Sequence, residues 1–455
     1  MLTCMRVASR ASLVAAVLVA VHLAPAEVIA APQPLAVHVS ANHLVDASGL
    51  PLVLHGYDIS ATEFACDQGS SAPYGWSVFG GPNDTSAVME AMAAWHGNAV
   101  RVPLNEDCWL GINGVNPRYG GESYRSLIHS YVESMHRYGF YVIVDLHWSA
   151  PGSAPAQSQQ PMPDADHSVA FWTSVASAFS SDPAVIFDLY NEPFIYASYL
   201  QDPSQNPWRC WLEGCGFSQY LTGNGKAYTA HQNWTAVGMQ TLVNAVRATG
   251  ATQPIMIAGL NWANDLSGWS SHFPYDPLGQ LAASWHSYPG QQCSAPACWN
   301  AVIAPLAVLV PVVVGETGDS VCQAPTYDPT FLPWADTHGI SYLGWTWNPW
   351  SNCSDVLVKN WSGTPSANYG QYFHDHLAAL ATQEAAPSSP PSITLPAVAS
   401  GPSPSGPGRI SPASGHPGGA GLLAAGRLAI ADWQIAIALL ILLGAAAVRW
   451  RGWRR

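Results

Sequence analysis

Lysine is nearly missing from this chain. It occurs twice in 455 residues, as Lys226 and Lys359, and charged residues of all kinds make up 10% of the sequence. The balance of 16 basic against 29 acidic residues leaves a net charge of −13. That excludes nucleic acid and polyanionic substrates, both of which require a basic surface. No Gly-x-Gly-x-x-Gly follows the first candidate strand, so a nucleotide-binding reading has no support. The apolar run near the N-terminus, Ala11 to Leu23, is too short for a membrane span. What is present in quantity is tryptophan, at 20 residues. Most of these rings belong in the core, but a neutral, Trp-rich surface also suits uncharged sugars, whose C–H faces stack on indole.

The basic start Met1 to Arg10, the apolar run and the small residues from Ala24 to Ala31 form a secretory signal peptide, with cleavage expected between Ala26 and Ala31. Of nine cysteines, Cys4 departs with that signal. The even remainder in an exported chain points to disulfides. Sequence alone does not fix their connectivity. Cys210–Cys215 and Cys293–Cys298 are close enough to staple single loops, and Cys66–Cys108 and Cys322–Cys353 are the pairing taken for the rest. The rival reading is a zinc site on the two Cys-x4-Cys pairs. Export and the absence of nearby histidines at finger spacing weigh against it.

The segment 32–380 reads as continuously globular, one catalytic domain. Residues 381–427 are dominated by Pro, Ser, Ala and Gly and cannot bury enough apolar surface to fold, so they read as a disordered linker. Residues 428–448 are strongly apolar though interrupted by Asp432 and Gln434; with Trp433 and Trp450 as interfacial belts they approach a membrane span. The tail 449–455 carries Arg449, Arg451, Arg454 and Arg455, which should stay cytoplasmic. The expectation is an exported, monomeric protein tethered to the outer face of the cell membrane by a C-terminal transmembrane helix. A cleaved wall-sorting signal is the alternative, but Leu395-Pro-Ala-Val-Ala399 lacks the Thr and Gly of Leu-Pro-x-Thr-Gly.

Within the globular part, apolar runs rich in β-branched residues alternate with amphipathic stretches. The candidate strands are Leu52–Tyr57, Ala99–Leu104, Tyr141–Leu146, Ile186–Tyr190, Ile255–Gly259, Leu281–Trp285, Pro311–Gly315 and Tyr342–Trp347. Helical patterns include Thr85–Trp95, Tyr124–Tyr138, Ala170–Phe179 and Trp234–Ala248. Eight such alternations predict an α/β fold, a (β/α)8 TIM barrel, with a doubly wound sheet as the alternative.

Arg101, His147, Asn191, Glu192, His286, Tyr288, Glu316 and Trp347 sit at or just past the C-terminal ends of these strands. Singly, each has a plain structural explanation: an ion pair for Arg101, a satisfied histidine at 147, packing for Tyr288 and Trp347. Together they fall on the one face where barrels carry chemistry. Glu192 and Glu316 decide the reading, because two carboxyls at strand ends far apart in sequence suggest the paired machinery of glycoside hydrolysis.

The motifs Asn98-Ala-Val-Arg-Val-Pro-Leu104, Asp145-Leu-His-Trp148, Leu189-Tyr-Asn-Glu-Pro193, Trp285-His-Ser-Tyr288, Val314-Gly-Glu316 and Trp345-Thr-Trp-Asn-Pro349 come in the order seen in glycoside hydrolase family 5, the cellulase family, and the chain resembles it across the catalytic domain. The resemblance implies a retaining endo-β-1,4-glucanase acting on β-glucan polysaccharide by double displacement, with no metal or organic cofactor. β-Mannan, β-1,3-glucan or another β-glycan is the alternative substrate, and a non-catalytic glycan-binding surface protein is the alternative class. It implies Glu192 as general acid and then base, its pKa raised by burial and by the charge of Glu316. Glu316 becomes the nucleophile, held by Arg101 and Tyr288. Asn191 would hold the sugar 2-hydroxyl, His147 and His286 would bind hydroxyls or orient the glutamates, and Trp347 would floor the sugar ring. Trp345 is the alternative floor, strand alternation pointing both the same way. The long insertion Phe194–Gln232 is expected to shape the cleft rim. Glu63 and Asp67, in a loop beside Cys66, are assigned no role.

Overall fold

Alternation along eight parallel strands builds the molecule. The computed structural model describes residues 34–68, 78–223, 226–319, 322, 324–351, 353 and 355–385. The strands are β1 (His55–Asp58), β2 (Ala99–Asn105), β3 (Tyr141–Trp148), β4 (Val185–Asp188), β5 (Ile255–Ala258), β6 (Leu281–Ser287), β7 (Val312–Thr317) and β8 (Ser341–Gly344). They close into a barrel in sequence order, with β8 pairing β1. All eight were legible as apolar runs, and the eight-stranded closed parallel barrel agrees with the (β/α)8 expectation.

Period-two alternation sorts each strand into an outer and an inner set. Val100, Val102 and Leu104 of β2, with Val142, Val144 and Leu146 of β3, pack outward among the helices. The intervening residues fill the lumen in layers. At the bottom Ala99, Ile143, Ile186, Met256, Ala282, Val313 and Leu343 form an apolar plug. Val37, Val39 and Leu44 join it from a three-stranded antiparallel sheet, His38–Ser40, His43–Val45 and Pro51–Leu52, which closes that end. In the next layer up, five of the eight strands turn the lumen polar, with Asp58, Arg101, Asp145, Asp188 and Ser284, all buried. The chemistry therefore stands on a rigid apolar floor.

All four disulfides lie in loops after the strands, at the mouth: Cys66–Cys108, Cys210–Cys215, Cys293–Cys298 and Cys322–Cys353. Their Cα separations of 6.2, 5.1, 5.3 and 5.3 Å suit the bridges. Cys66–Cys108 joins the segments after β1 and β2, and Cys322–Cys353 those after β7 and β8, tying neighbouring segments of the mouth together.

Several boundaries differ from expectation: the stretch Leu52–Tyr57 is divided between Pro51–Leu52 of the small sheet and β1, and β8 stops at Gly344 rather than at Trp347. The stretch Trp234–Ala248 is not one helix: Lys226–Val237 is a strand paired antiparallel with Gly214–Gly223, and the helix runs Met239–Ala248. Trp234 stacks on Phe217 across that hairpin with ring centroids 4.7 Å apart, and this cross-strand pair overrides the helical pattern. The last helix, Tyr369–Ala385, continues past 380 into the expected linker. The expected signal peptide 1–31, the remainder of the linker, the membrane segment 428–448 and the tail 449–455 lie outside the described residues. Among the described residues, no helix is long and apolar enough to cross a membrane.

Candidate active site

Arg101 stands in the lumen as a hub. Nη1 donates to Glu316 Oε1 at 2.9 Å and to Asp58 at 3.3 Å, and Nε donates to Asp188 at 3.2 Å. Nη2 donates to Asn191 Oδ1 at 2.9 Å and lies 3.3 Å from Asp145. A single guanidinium thus faces carboxyls from β1, β3, β4 and β7 in a region closed to water. Burying that many charges costs more than one cation offsets, so protons are retained. Burial pushes Asp58 well above the usual carboxylate range, Arg101 opposing and the charge of Glu316 adding. Burial takes Asp188 to about 7 against the pull of Arg101.

Glu192 and Glu316 face each other above this layer. Oxygens of the two carboxyls and a nitrogen of His286 all lie within 4.8 Å of one another. Glu316 receives Arg101 on Oε1 and the Tyr288 hydroxyl on Oε2, at 2.9 and 2.8 Å. Two donors, one charged, suit an anion. Among the described residues, no Arg or Lys contacts Glu192. Burial raises its pKa to about 7; His147 and Arg101 oppose, and the like charge that adds is Asp145, where Glu316 was expected.

His286 links the pair. Its Nδ1 lies 3.0 Å from Glu192 Oε1 and 3.6 Å from Glu316 Oε2. Burial drops its pKa to about 3, so the ring is neutral. Nε2 is buried without a hydrogen-bond partner, which places the single hydrogen on Nδ1, donating to Glu192 Oε1. Oε2 of Glu192 is then the oxygen left to carry a proton. The ring fits because residue 315 is glycine: a Cβ there would stand 2.9 Å from His286 Nε2.

His147 Nδ1 pairs with Asp145 at 2.9 Å; burial disfavours its charge, but Asp145, together with Glu63 and Glu316, raises its pKa. This leaves Nε2 as the nitrogen available to a hydroxyl. Asn191 is buried, and its Nδ2 donates to Gln159 Oε1 at 3.2 Å. One amide hydrogen remains for a ligand.

Trp347 requires a correction. It is fully buried, packed on Tyr57 and Trp95 at 4.9 and 4.8 Å, and presents no face to a sugar. Strand β8 ends at Gly344, so alternation does not extend to 345 and 347. The half-buried ring at the mouth is Trp345, parallel to His147 with centroids 5.8 Å apart. Asp58, Asp145, Asp188 and Gln159 were missed. Asp145 and Asp188 had a signal, lying two residues before His147 and in the strand run before Asn191. Glu63 folds back onto Ser60 Oγ and Ala61 N, at 2.5 and 2.7 Å, and ties its own turn.

A second trio, Glu106, Asp164 and His167, also brings ligand atoms within 4.8 Å. Ser168 Oγ donates to Glu106 at 2.7 Å and the His167 backbone N–H to Asp164 at 2.8 Å, so internal partners hold these carboxyls.

The profile described as cellulase, glycosyl hydrolase family 5, matches residues 46–351. The cellulase/esterase CelE of Acetivibrio thermocellus is 29% identical over 184 residues, 36% of this chain and 21% of that protein. A mannan endo-1,4-β-mannosidase of Cellvibrio japonicus is 21% identical over 311 residues, 67% of this chain and 60% of that protein. The chain therefore spans less than two thirds of these relatives. A β-glucanase of Saccharophagus degradans, solved with cellotetraose, shares the fold at 20% identity with a TM-score of 0.56, covering 76% of this chain and 94% of that one.

Proposed function

From a chain that belongs to the cellulase family, glycosyl hydrolase family 5, we infer an endo-acting β-1,4-glucanase that works with retention of configuration. The observation that carries the mechanism is the glutamate pair, one oxygen of each lying within 4.8 Å of one oxygen of the other, too close to seat the attacking water of an inverting enzyme between them. Retaining enzymes hold their carboxyls about 5–5.5 Å apart, inverting ones about 6.5–9.5 Å to admit a water.

In the first step Glu192 gives its proton to the glycosidic oxygen while a Glu316 oxygen attacks C1. The C1–O bond to the leaving sugar breaks and a glycosyl ester on Glu316 forms. Glu192, now a carboxylate, takes a proton from water, whose oxygen attacks C1 and frees Glu316. Arg101 and Tyr288 position the nucleophile, and His286 orients the acid.

Glucan as substrate is supported by the acidic, lysine-poor composition, which suits an uncharged polymer. A second reading, β-mannan, is favoured by the mannosidase that matches over 67% of this chain. The same reading has the enzyme exported and held at the outer membrane face by residues 428–448; cell fractionation tests this, and a soluble cytoplasmic product would refute it.

The decisive assay is hydrolysis of carboxymethylcellulose, mixed-linkage glucan, glucomannan and laminarin, followed by viscosity and by the anomer first released. Rapid viscosity loss on the first two with β-anomer released supports the proposal. Activity confined to glucomannan selects the mannan reading, and first release of the α-anomer refutes retention.

A further inference from the structure

Beyond Glu192, in the loops after β4, β5 and β6, lies a cavity of about 270 Å³ that the glutamate pair does not use. Its walls include Tyr196, Pro207 and Trp208 from the long insertion, Asn261 and Asp265 after β5, and Gln292 after β6. We propose that it is a distal saccharide pocket, taking one uncharged pyranose ring from the leaving-group end of the glycan; this rests on the glycanase reading above.

Its placement follows from the chemistry. A general acid delivers its proton to the leaving group, so the departing sugars extend on the side of Glu192. In the closed barrel β4 stands four strands from β8, whose following residue is Trp345. The cavity and Trp345 therefore lie on opposite sides of the mouth, with the glutamates between.

The wall nearest the acid is continuous with it. Phe194, two residues past Glu192, stacks on Trp262 with centroids 3.9 Å apart. Trp262 donates from its backbone N–H to Pro193 O at 3.0 Å and from Nε1 to the Tyr196 hydroxyl at 3.2 Å. Asn261, Trp262 and Ala263 all hold left-handed backbone, with φ of 54°, 61° and 56°. Such conformations cost free energy for L residues and persist only where surrounding contacts offset it, commonly at ligand sites.

Trp208 is pre-set as a platform. Its half-buried ring lies directly on Gly268, where a Cβ would come within 2.4 Å of the indole. Its other neighbours are Trp211, edge-on at 5.3 Å, and His272, near-parallel at 5.9 Å. The short helix that carries it is capped by the Asn206 side chain and stapled by Cys210–Cys215. A ring so held loses little freedom on stacking a sugar. Asn261 and Gln292, joined at 3.1 Å, and the Tyr196 hydroxyl supply hydrogen bonds for sugar hydroxyls. The carboxyl of Asp265 opposes an anionic ligand.

The test compares kcat/KM for cellohexaose and mannohexaose with that for the corresponding aryl biosides, whose leaving group stops at one small ring. Trp208→Ala is expected to lower the hexasaccharide-to-aryl ratio about tenfold and Gln292→Ala about threefold. Gln292 is exposed, so its variant decides the matter should Trp208→Ala melt below the wild type. A ratio unchanged in folded variants overturns the pocket and leaves the glycanase standing. A wild-type protein silent on every one of these substrates overturns the glycanase reading and the pocket with it.

Discussion

Nη2 of Arg101 donates to Oδ1 of Asn191 at 2.9 Å, while Nη1 of the same guanidinium donates to Glu316 at 2.9 Å. One planar group thus fixes the residue before the proposed acid and the proposed nucleophile itself. The relative placement of the two carboxyls is a property of this fork.

Arg101→Lys should therefore separate charge from geometry. Lysine keeps the cation but offers a point charge that cannot reach both partners. The expected result is a fall in kcat on the order of 10²-fold. Leaving several buried acids short of donors should also destabilise the barrel by about 3–5 kcal/mol. Steady-state kinetics with a thermal melt reads both, and near-wild-type turnover would show that charge alone suffices.

Glu192→Gln tests the acid. With its pKa at about 7, Glu192 must be protonated to act, so wild-type kcat/KM should fall as pH rises through about 7. Glutamine should abolish that limb. Aryl glycosides with good leaving groups need no proton to depart, so they should show a burst followed by slow turnover, the base for the water being absent. A variant that retains the alkaline limb would assign it to another group.

Much of this site was legible because alternation and strand ends are local properties. Arg101, His147, His286 and the two glutamates follow from apolar runs that stop at a polar residue. The carboxyl layer beneath them was harder to see: Asp145 and Asp188 lay in strand runs beside site residues, but Asp58, and the partner all three share, acquire meaning only when the barrel closes and turns them on one guanidinium. The 214–237 hairpin was hidden for a related reason. Trp234 and Phe217 are 17 positions apart, and their stacking outweighs the local helical pattern.

Asp188 offers a stability test with a definite sign. Its folded pKa, about 7, lies above the ordinary 3.8 because burial disfavours the anion. The native state therefore holds this proton where the unfolded chain has released it, and the contribution is complete below about pH 4 and lost as pH rises through 7. Asp188→Asn mimics the protonated form and removes the dependence. The variant should gain on the wild type between pH 4 and 8, by about 4 kcal/mol. Melts across that range measure it; a constant difference would mean that Asp188 is ionised throughout.

The two tryptophans after β8 should part company under substitution. Trp347 is enclosed by Tyr57 and Trp95, and removing its ring leaves a cavity in a close-packed region. Trp347→Ala should cost about 3–5 kcal/mol of stability. Trp345 has few such neighbours, lying parallel to His147 at 5.8 Å and near the exposed Trp350 at 6.4 Å. Trp345→Ala should leave the melt within a few degrees of wild type while lowering kcat/KM by about tenfold or more, because an aromatic floor contributes through contact with substrate. If instead the melt falls with Trp345 and affinity falls with Trp347 at unchanged stability, the sugar floor has been assigned to the wrong ring. The discrimination rests on burial alone, since the two residues are chemically identical and two positions apart.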